Sequence, residues 1–170
     1  GLRLHVAHLN HQVRPQECPR DALYVEHLCR NLQLPLTLHS EDVPAYRAEH
    51  RLSLEEAGRQ VRYAFLSRVA QEVGSNVIAL GHTANDQAET VLLHLLRGSG
   101  LAGLAGMRRL SQQTALRNGN VLKLFRPLLT LTRQETLAYC GKHGLNPVQD
   151  STNRSLDSTR NRVQIGRAHV

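Results

Sequence analysis

The sequence predicts an α/β fold, in which a doubly wound parallel sheet is flanked by helices. Segments with strand patterns alternate with helical segments of about 12–20 residues, which is the spacing of right-handed βαβ units. The chain has 170 residues, 41% of them hydrophobic and 21% charged, and this length suits one domain. No apolar run approaches the ~20 residues that a membrane-spanning helix needs, so we expect no membrane partner.

The first half of the chain predicts two strands and two helices. They are a strand over 3–10, a helix over 20–33 after a turn at Pro15, a strand over 34–41 and a helix that begins at Ser53. The first strand alternates apolar and polar residues, and the first helix places Val25 and Cys29 on one face. Ser53 and Glu56 have the spacing of a capping box. We expect a polar linker before Ser53.

The second half predicts two more strands and two more helices. In order, we expect a buried strand over 76–80, a helix from Thr83 to Arg97, a Gly-rich loop to Met107, a hairpin or variable loop over 111–120, a strand over 121–125 and a helix from Thr132. Glu135 stands in capping-box position relative to Thr132. A polar run, 150–162, follows a short extended piece.

Basic residues exceed acidic ones, 21 to 14, for a formal charge of +7. All but Lys123 and Lys142 of these cations are Arg, whose forked guanidinium suits phosphate or carboxylate, so an anionic partner is one interpretation. A codon bias that places Arg on solvated faces is the other, and both stay open. Aromatic residues make up 4% and Trp is absent, which argues against binding a single strand by base stacking.

The three cysteines, Cys18, Cys29 and Cys140, form no Cys-x-x-Cys pair. This excludes a disulfide framework and a zinc knuckle as expectations and favours a reducing cytoplasm.

Both ends of the chain lead us to expect a piece of a longer protein. The sequence starts at Gly1 directly before a strand, so we expect residues upstream. Residues 165–170 fit no element and match the translation of a common sequencing adapter in one reading frame. We therefore expect a partial catalytic domain over 1–164 and a non-native tail over 165–170, the alternative being a chance hexapeptide.

Polar residues gather where strands of the predicted sheet end, at 8–14, 81–89 and 126–127, and ligands of such sheets bind at these ends. Gly81 to Thr83 turn into a helix, whose first N–H groups attract anions. Asp86 and Glu89 share a helix face and could hold Mg²⁺ against a nucleotide. The alternative is that Thr83 and Asp86 cap the helix and Glu89 is solvated.

Other segments contain residues of the same chemical type. His8, Asn10 and His11 end the first strand, and Arg59 and Arg62 share one helical face, where they could clamp phosphate or pair with neighbouring glutamates. Residues 98–103 spell Gly-x-Gly-x-x-Gly, but they follow a helix instead of a strand, so we reject a dinucleotide site there.

Six segments carry a family resemblance when they are taken in order: 5–14, 56–63, 81–90, 97–104, 126–129 and 150–162. They resemble the tRNA(Ile)-lysidine synthetases, which belong to the N-type ATP pyrophosphatase (PP-loop) family. That family has a Rossmann-like fold of the adenine nucleotide alpha hydrolase type. Its Ser-Gly-Gly-x-Asp-Ser loop, expected just upstream of the first strand, and its C-terminal tRNA-recognition domains are not in this sequence. Asn85 departs from the family's usual acid.

The resemblance implies an ATP-dependent ligase that joins free L-lysine to the wobble cytidine of tRNA(Ile), with ATP and Mg²⁺ as cofactors. The implied catalytic residues are Asp86, which would also hold Mg²⁺, Glu89, Arg59 and Arg62. The implied ATP-binding residues are His8, Asn10, His11, Gly81 and His82. The implied tRNA-binding residues are Arg97, Arg126, Asn153, Arg160 and Arg162. We expect the 170 residues alone to be inactive.

Two other functions stay open at this point. Another PP-loop enzyme, such as a tRNA thiolase, is the first, although the scattered cysteines do not supply the cluster that sulfur-inserting relatives commonly need. An RNA-binding module without catalysis is the second. It explains the charge but not the acids at the helix start.

Overall fold

The computed structural model describes residues 1–13, 18–114 and 121–148. Its elements are, in chain order, β1 Val6–Asn10, α1 Cys18–Asn31, β2 Leu36–Ser40, α2 Val43–His50, α3 Leu54–Glu72, β3 Val77–Ala79, α4 Ala84–Leu96, α5 Leu101–Leu104, β4 Leu110–Thr114, β5 Val121–Phe125 and α6 Arg133–Lys142. The predicted α/β class is confirmed. The turn at Pro15, residues 115–120 and everything after residue 148 lie outside the described residues.

The chain divides into two compact units. Unit 1 comprises residues 1–78 and 112–123, and unit 2 comprises residues 79–111 and 124–170. In unit 1, β1 and β2 pair in parallel, from Val6 opposite Leu36 to Asn10 opposite Ser40. Helix α1 makes the crossover that a parallel pair requires.

The core of unit 1 forms around α3. Its buried stripe, Ala57, Val61, Phe65 and Val69, packs with Leu9 and with Val43, and these positions have the spacing of one helix face. Ser53 accepts a hydrogen bond from Glu56 N at 3.1 Å, so the predicted N-terminus of this helix is confirmed.

Helix α2 replaces the polar linker expected before Ser53, so that expectation was wrong. Asp42 begins the helix by accepting a hydrogen bond from Ala45 N at 2.8 Å, and Pro44 stands in the first turn, where its missing N–H costs nothing. Only Val43, which is fully buried, and Tyr46 face the core. One apolar contact per turn is too weak a pattern to stand out in eight residues.

Three strands form a second sheet in the order β3-β5-β4. Lys123 N donates to Asn76 O at 2.9 Å and Leu80 N donates to Phe125 O at 2.8 Å, so β3 and β5 advance in the same direction. Arg126, just after β5, donates its N–H to Arg109 O, just before β4, as in an antiparallel pair. Strand β4 is thus an antiparallel addition to the predicted parallel arrangement, as the hairpin interpretation of 111–120 allows.

The predicted start of α6 is also confirmed. Glu135 Oε2 accepts hydrogen bonds from the N–H and the hydroxyl of Thr132, both at 2.7 Å. Among the described residues, no helix combines the length and the apolar character needed to cross a membrane.

Candidate functional site

The start of α4 is organised by Asp86. Its Oδ2 accepts hydrogen bonds from Thr83 N and Thr83 Oγ1, both at 2.8 Å. The capping geometry that was one of two interpretations for these residues is therefore present. A carboxylate at this place also suits the partial positive charge of the helix N-terminus. The cap fixes the position of Asp86 and leaves its catalytic role a prediction.

Glu89 lies one turn further along α4 and is only 2% exposed. The interpretation of Glu89 as a solvated side chain was therefore wrong. Burying a carboxylate costs free energy unless it is paired or hydrogen-bonded. We therefore interpret Glu89 as a side chain with polar contacts in the interior of unit 2.

The loop before α4 presents the two other residues predicted here. His82 is half-buried. Gly81 is exposed, and a Cβ atom at this position would meet nothing within 4 Å. The space beside Gly81 is therefore open, and the backbone geometry does not itself require glycine there.

Asn85 ties the start of α4 to the start of α6. Its Oδ1 accepts a hydrogen bond from Arg133 N at 2.9 Å, and Ala84 N donates to Leu131 O at 2.8 Å. The departure from the usual family acid thus keeps an oxygen acceptor at this position.

A second cluster lies in unit 1 at the carboxyl end of β1. Asn10 Oδ1 accepts a hydrogen bond from Gln12 N at 2.9 Å, in a turn where Gln12 adopts a left-handed φ of 51°. His11 Nε2 lies 3.4 Å from Arg62 Nη2. Because a guanidinium only donates, the imidazole nitrogen accepts. The structure thus brings together two of the predicted residues, His11 and Arg62.

The histidines of this cluster are held neutral. Burial, then the nearby Arg62 and His8, lowers the pKa of His11 to about 4, against a smaller opposite effect of its hydrogen bond to the Leu9 backbone. Burial also lowers the pKa of His8, while Asp21 opposes this. With a pKa of about 4, the His11 ring is uncharged at neutral pH, and the neighbouring Arg62 is the charged member of this pair.

Arg59 is on the same helix but is placed differently. Its guanidinium carbon lies 5.2 Å from the centre of the Tyr63 ring, a distance at which a cation and an aromatic face attract. The preceding residue, Gly58, is buried, and a Cβ atom at this position would lie 3.8 Å from the His11 ring.

Of the predicted tRNA-binding residues, Arg97 and Arg126 are described, and both are in unit 2. Arg97 is exposed at the end of α4. Arg126 is 7% exposed, and its Nη1 donates to Arg108 O at 2.8 Å and to Ser111 Oγ at 2.9 Å. These contacts favour a structural role for Arg126, and a contact of its guanidinium with RNA stays a prediction. Asn153, Arg160 and Arg162 lie outside the described residues.

Two functional candidates of unit 2 escaped the sequence patterns. The Gln87 side chain forms two hydrogen bonds with the backbone of Met107, and His94 bonds the carbonyl of Gly103. Both partners are backbone groups, which a sequence pattern cannot indicate. The neighbouring glycines, Gly103 and Gly106, were the one feature of the sequence that could have pointed to these contacts.

Unit 1 also contains a cleft of about 380 Å³ beside α3. His39 stacks on Phe65 along its wall, with ring centres 5.7 Å apart, and the Tyr46 hydroxyl donates to Gln60 Oε1 at 3.2 Å. No residue predicted from the sequence as functional lines this cleft.

A metal centre built from protein ligands alone is not found in the part of the chain that the structure describes. No group of three or more His, Cys, Asp or Glu side chains there could hold a metal ion.

Comparisons with known proteins identify relatives of this chain. The PP-loop domain family matches residues 1–167. The tRNA(Ile)-lysidine synthase of Dehalococcoides mccartyi is 51% identical over 165 residues, which are 97% of this chain and 35% of that protein. The enzymes of the same name from Symbiobacterium thermophilum and Caldanaerobacter subterraneus are 45% and 41% identical, over 96% and 97% of this chain. The chain spans about a third of the length of these relatives.

A solved structure supports the fold. The U34-tRNA thiolase NcsA from Methanococcus maripaludis, with its 4Fe-4S cluster, superposes with a TM-score of 0.72 at 16% identity, over 96% of this chain and 54% of that chain. At this identity the likeness shows the fold alone. The match of the family model over residues 1–167 shows that the chain belongs to the PP-loop family.

Proposed function

We propose that the protein carrying this chain is a tRNA(Ile)-lysidine synthase, which uses ATP to ligate free L-lysine to the wobble cytidine of tRNA(Ile) with a CAU anticodon. The observation that carries this proposal is the identity of 41–51% to three enzymes of that name over 96–97% of the chain. Membership of the PP-loop family supports ATP as the second substrate. A cytoplasmic location suits such a reaction.

The chemistry explains why ATP is needed. The 2-carbonyl of cytosine is a poor electrophile. Transfer of AMP to its oxygen releases pyrophosphate and turns that oxygen into part of a leaving group. The lysine amine then attacks the carbon and expels AMP. The base must leave the anticodon stack to be reached.

The residues of this chain have distinct tasks in this scheme. In unit 1, Arg62 supplies positive charge for phosphate oxygens, and Arg59 on the same helix supplies a second guanidinium. His8, Asn10 and His11 shape the end of β1 where ATP would lie.

In unit 2, Gly81 and His82 are proposed ATP-binding residues, and α4 supplies two carboxylates. The capping Asp86 is the first candidate to accept the proton that lysine loses before attack. Glu89 is the second, and because its side chain is only 2% exposed, it would have to become accessible to the substrate. Arg97, Asn153, Arg160 and Arg162 remain the proposed tRNA contacts. For Arg126 we propose a structural role instead, because its buried side chain donates to Arg108 O.

The donor chemistry of α4 fits Mg²⁺. This ion commonly uses one or two carboxylates together with substrate phosphates and water, so the absence of a three-residue cluster among the described residues does not conflict with it. Asp86 would hold the ion, which when bound neutralises phosphate charge.

Asp86→Asn tests this assignment in the protein that carries the chain. Asparagine keeps an oxygen that can accept both hydrogen bonds of Thr83 but loses the carboxylate charge. We expect the thermal midpoint of unfolding to stay within a few degrees and lysidine formation, measured with tRNA(Ile) transcript, ATP and lysine, to fall by more than about 100-fold.

Glu135→Gln is the matched control, because Glu135 caps α6 with the same two hydrogen bonds, from Thr132. This variant should keep full lysidine formation. Near-normal lysidine formation by Asp86→Asn would contradict the role proposed for Asp86.

The alternative functions have less support. The thiolase named above is 16% identical and therefore informs only on the fold. An RNA-binding module without catalysis does not account for the identity to ligases over nearly the whole chain.

A further inference from the structure

The Gly-rich segment, residues 97–107, runs back along α4. It leaves the carboxyl end of that helix at Arg97, where Ser99 N donates to His94 O at 2.9 Å. It ends at Met107, whose backbone is bonded to the Gln87 side chain in the first turn of the helix. Ten residues of helix separate these two ends, which is about 15 Å.

Gln87 fixes the far end of the segment. Its Oε1 accepts a hydrogen bond from Met107 N at 2.7 Å, and its Nε2 donates to Met107 O at 3.2 Å. The neighbouring Gly106 has a φ of +62°, and a Cβ atom there would lie 2.6 Å from Gln87 Nε2. The side-chain amide therefore occupies the space that any other residue at 106 would need.

His94 fixes the middle of the segment. Its Nδ1 donates to Gly103 O at 2.6 Å, because a carbonyl oxygen only accepts. A Cβ atom on Gly103 would lie 2.5 Å from Ser99 Cβ and 3.3 Å from His94 Cβ. Glycines lose much conformational freedom when they are ordered, and these side-chain contacts offset that loss.

The segment is followed by two cationic residues close to the first turn of α4. Arg108 and Arg109 follow Met107 directly, and both are exposed. Arg126 holds this pair from its other side, since its Nη1 donates to Arg108 O and its backbone N–H donates to Arg109 O, both at 2.8 Å. The Arg109 guanidinium lies 5.7 Å from the centre of the Phe125 ring.

We propose that Arg108 and Arg109 form a contact surface for the phosphate backbone of RNA, and that Gln87 and Arg126 are positioning residues for it. The proposal rests on the proposed function, which makes an RNA the substrate. Exposed guanidinium groups suit an extended polyanion, because each can neutralise one phosphate and release its counterions. Arg97, at the other end of the segment, is also exposed.

The test measures binding of tRNA(Ile) transcript at several salt concentrations in the protein that carries this chain. For Arg108→Ala with Arg109→Ala, we expect about tenfold weaker binding and a salt dependence reduced by about 1.5–2 in log Kd per log salt. The matched control, Arg30→Ala with Arg47→Ala, removes the same charge from α1 and α2 and should bind like the unmodified protein.

Gln87→Met tests the positioning role without adding charge beside Asp86. It should weaken binding in the normal background and have no further effect when Arg108 and Arg109 are already alanine. Hydrogen exchange of residues 103–109 should rise in this variant while α3 stays protected.

Three outcomes would overturn the proposal: unchanged tRNA binding by the double Arg variant, an equal loss in the control, or a loss of ATP affinity alone. The proposed function has its own test in lysidine formation by the Asp86 variant. A protein that forms lysidine but binds tRNA normally without Arg108 and Arg109 would therefore refute only the surface.

Discussion

A neutral imidazole beside an arginine is the most distinctive residue-level feature of unit 1. His11 lies 3.4 Å from Arg62 and has its pKa lowered from 6.5 to about 4, chiefly by burial. A charged ring there would repel the guanidinium and lose solvation. Because His11 stays uncharged, Arg62 is the charged member of the pair over the whole physiological pH range.

This pair predicts a pH dependence of stability. Unfolded His11 titrates near 6.5 and folded His11 near 4, so between these values the unfolded state binds more protons. The contribution of His11 to the free energy of unfolding should therefore be highest above about pH 6.5, decrease as the pH falls toward 4 and change no further below that. Urea unfolding at a series of pH values measures it.

His11→Gln supplies the control, because the Gln side chain has no titration in this range but can place an acceptor near Arg62. Its free energy of unfolding should fall less steeply over the same interval. Some slope will remain, since the pKa of His8 is lowered as well. Equal slopes in both proteins would show that His11 does not contribute.

At the scale of elements, Asn85 joins α4 to α6 through one side-chain hydrogen bond, to Arg133 N. Because an aspartate oxygen could accept the same bond, Asn85→Asp should leave the free energy of unfolding nearly unchanged. Asn85→Ala removes the acceptor and should lower it by about 1 kcal/mol. Urea unfolding of the two variants decides between them, and an equal loss in both would contradict the role of the oxygen acceptor.

Local signals explain which elements were predictable from the sequence. Thr132 and Glu135 form hydrogen bonds with each other within four residues of the chain. The start of α6 could therefore be predicted without any tertiary information. Helix α2 could not, because its stability depends on burying Val43 in a core that other elements supply. The same distinction applies to the site.

The motifs in the sequence located α4 and the end of β1, because both depend on local chain geometry. The burial of Glu89 and the hydrogen bonds of Arg126 depend on distant segments, and a linear pattern does not contain them. That is why the sequence did not indicate that the Arg126 guanidinium donates to Arg108 O and Ser111 Oγ.

At the scale of the whole molecule, the two units bury different kinds of side chain. Among the described residues, unit 1 holds the buried apolar cluster around Phe65 and Val43, whereas Leu124 is the one buried hydrophobic residue of unit 2. Unit 2 buries two charged side chains, Glu89 and Arg126. Since apolar burial is the main stabilising contribution to folding, we expect the described part of unit 2 to be less stable than that of unit 1.

This difference predicts unequal hydrogen exchange. The amides of α4 and α6 should exchange through openings of lower free energy than those of α3, because fewer apolar contacts must be broken to expose them.

If α4 carries substrate-binding residues, adding ATP and tRNA(Ile) should protect it selectively, by an amount set by ligand concentration relative to Kd. Mass-spectrometric exchange with and without each ligand measures both effects. Equal protection of α3 and α4 without ligand would contradict the stability difference, and protection confined to α3 on adding substrates would contradict the placement of the binding residues on α4.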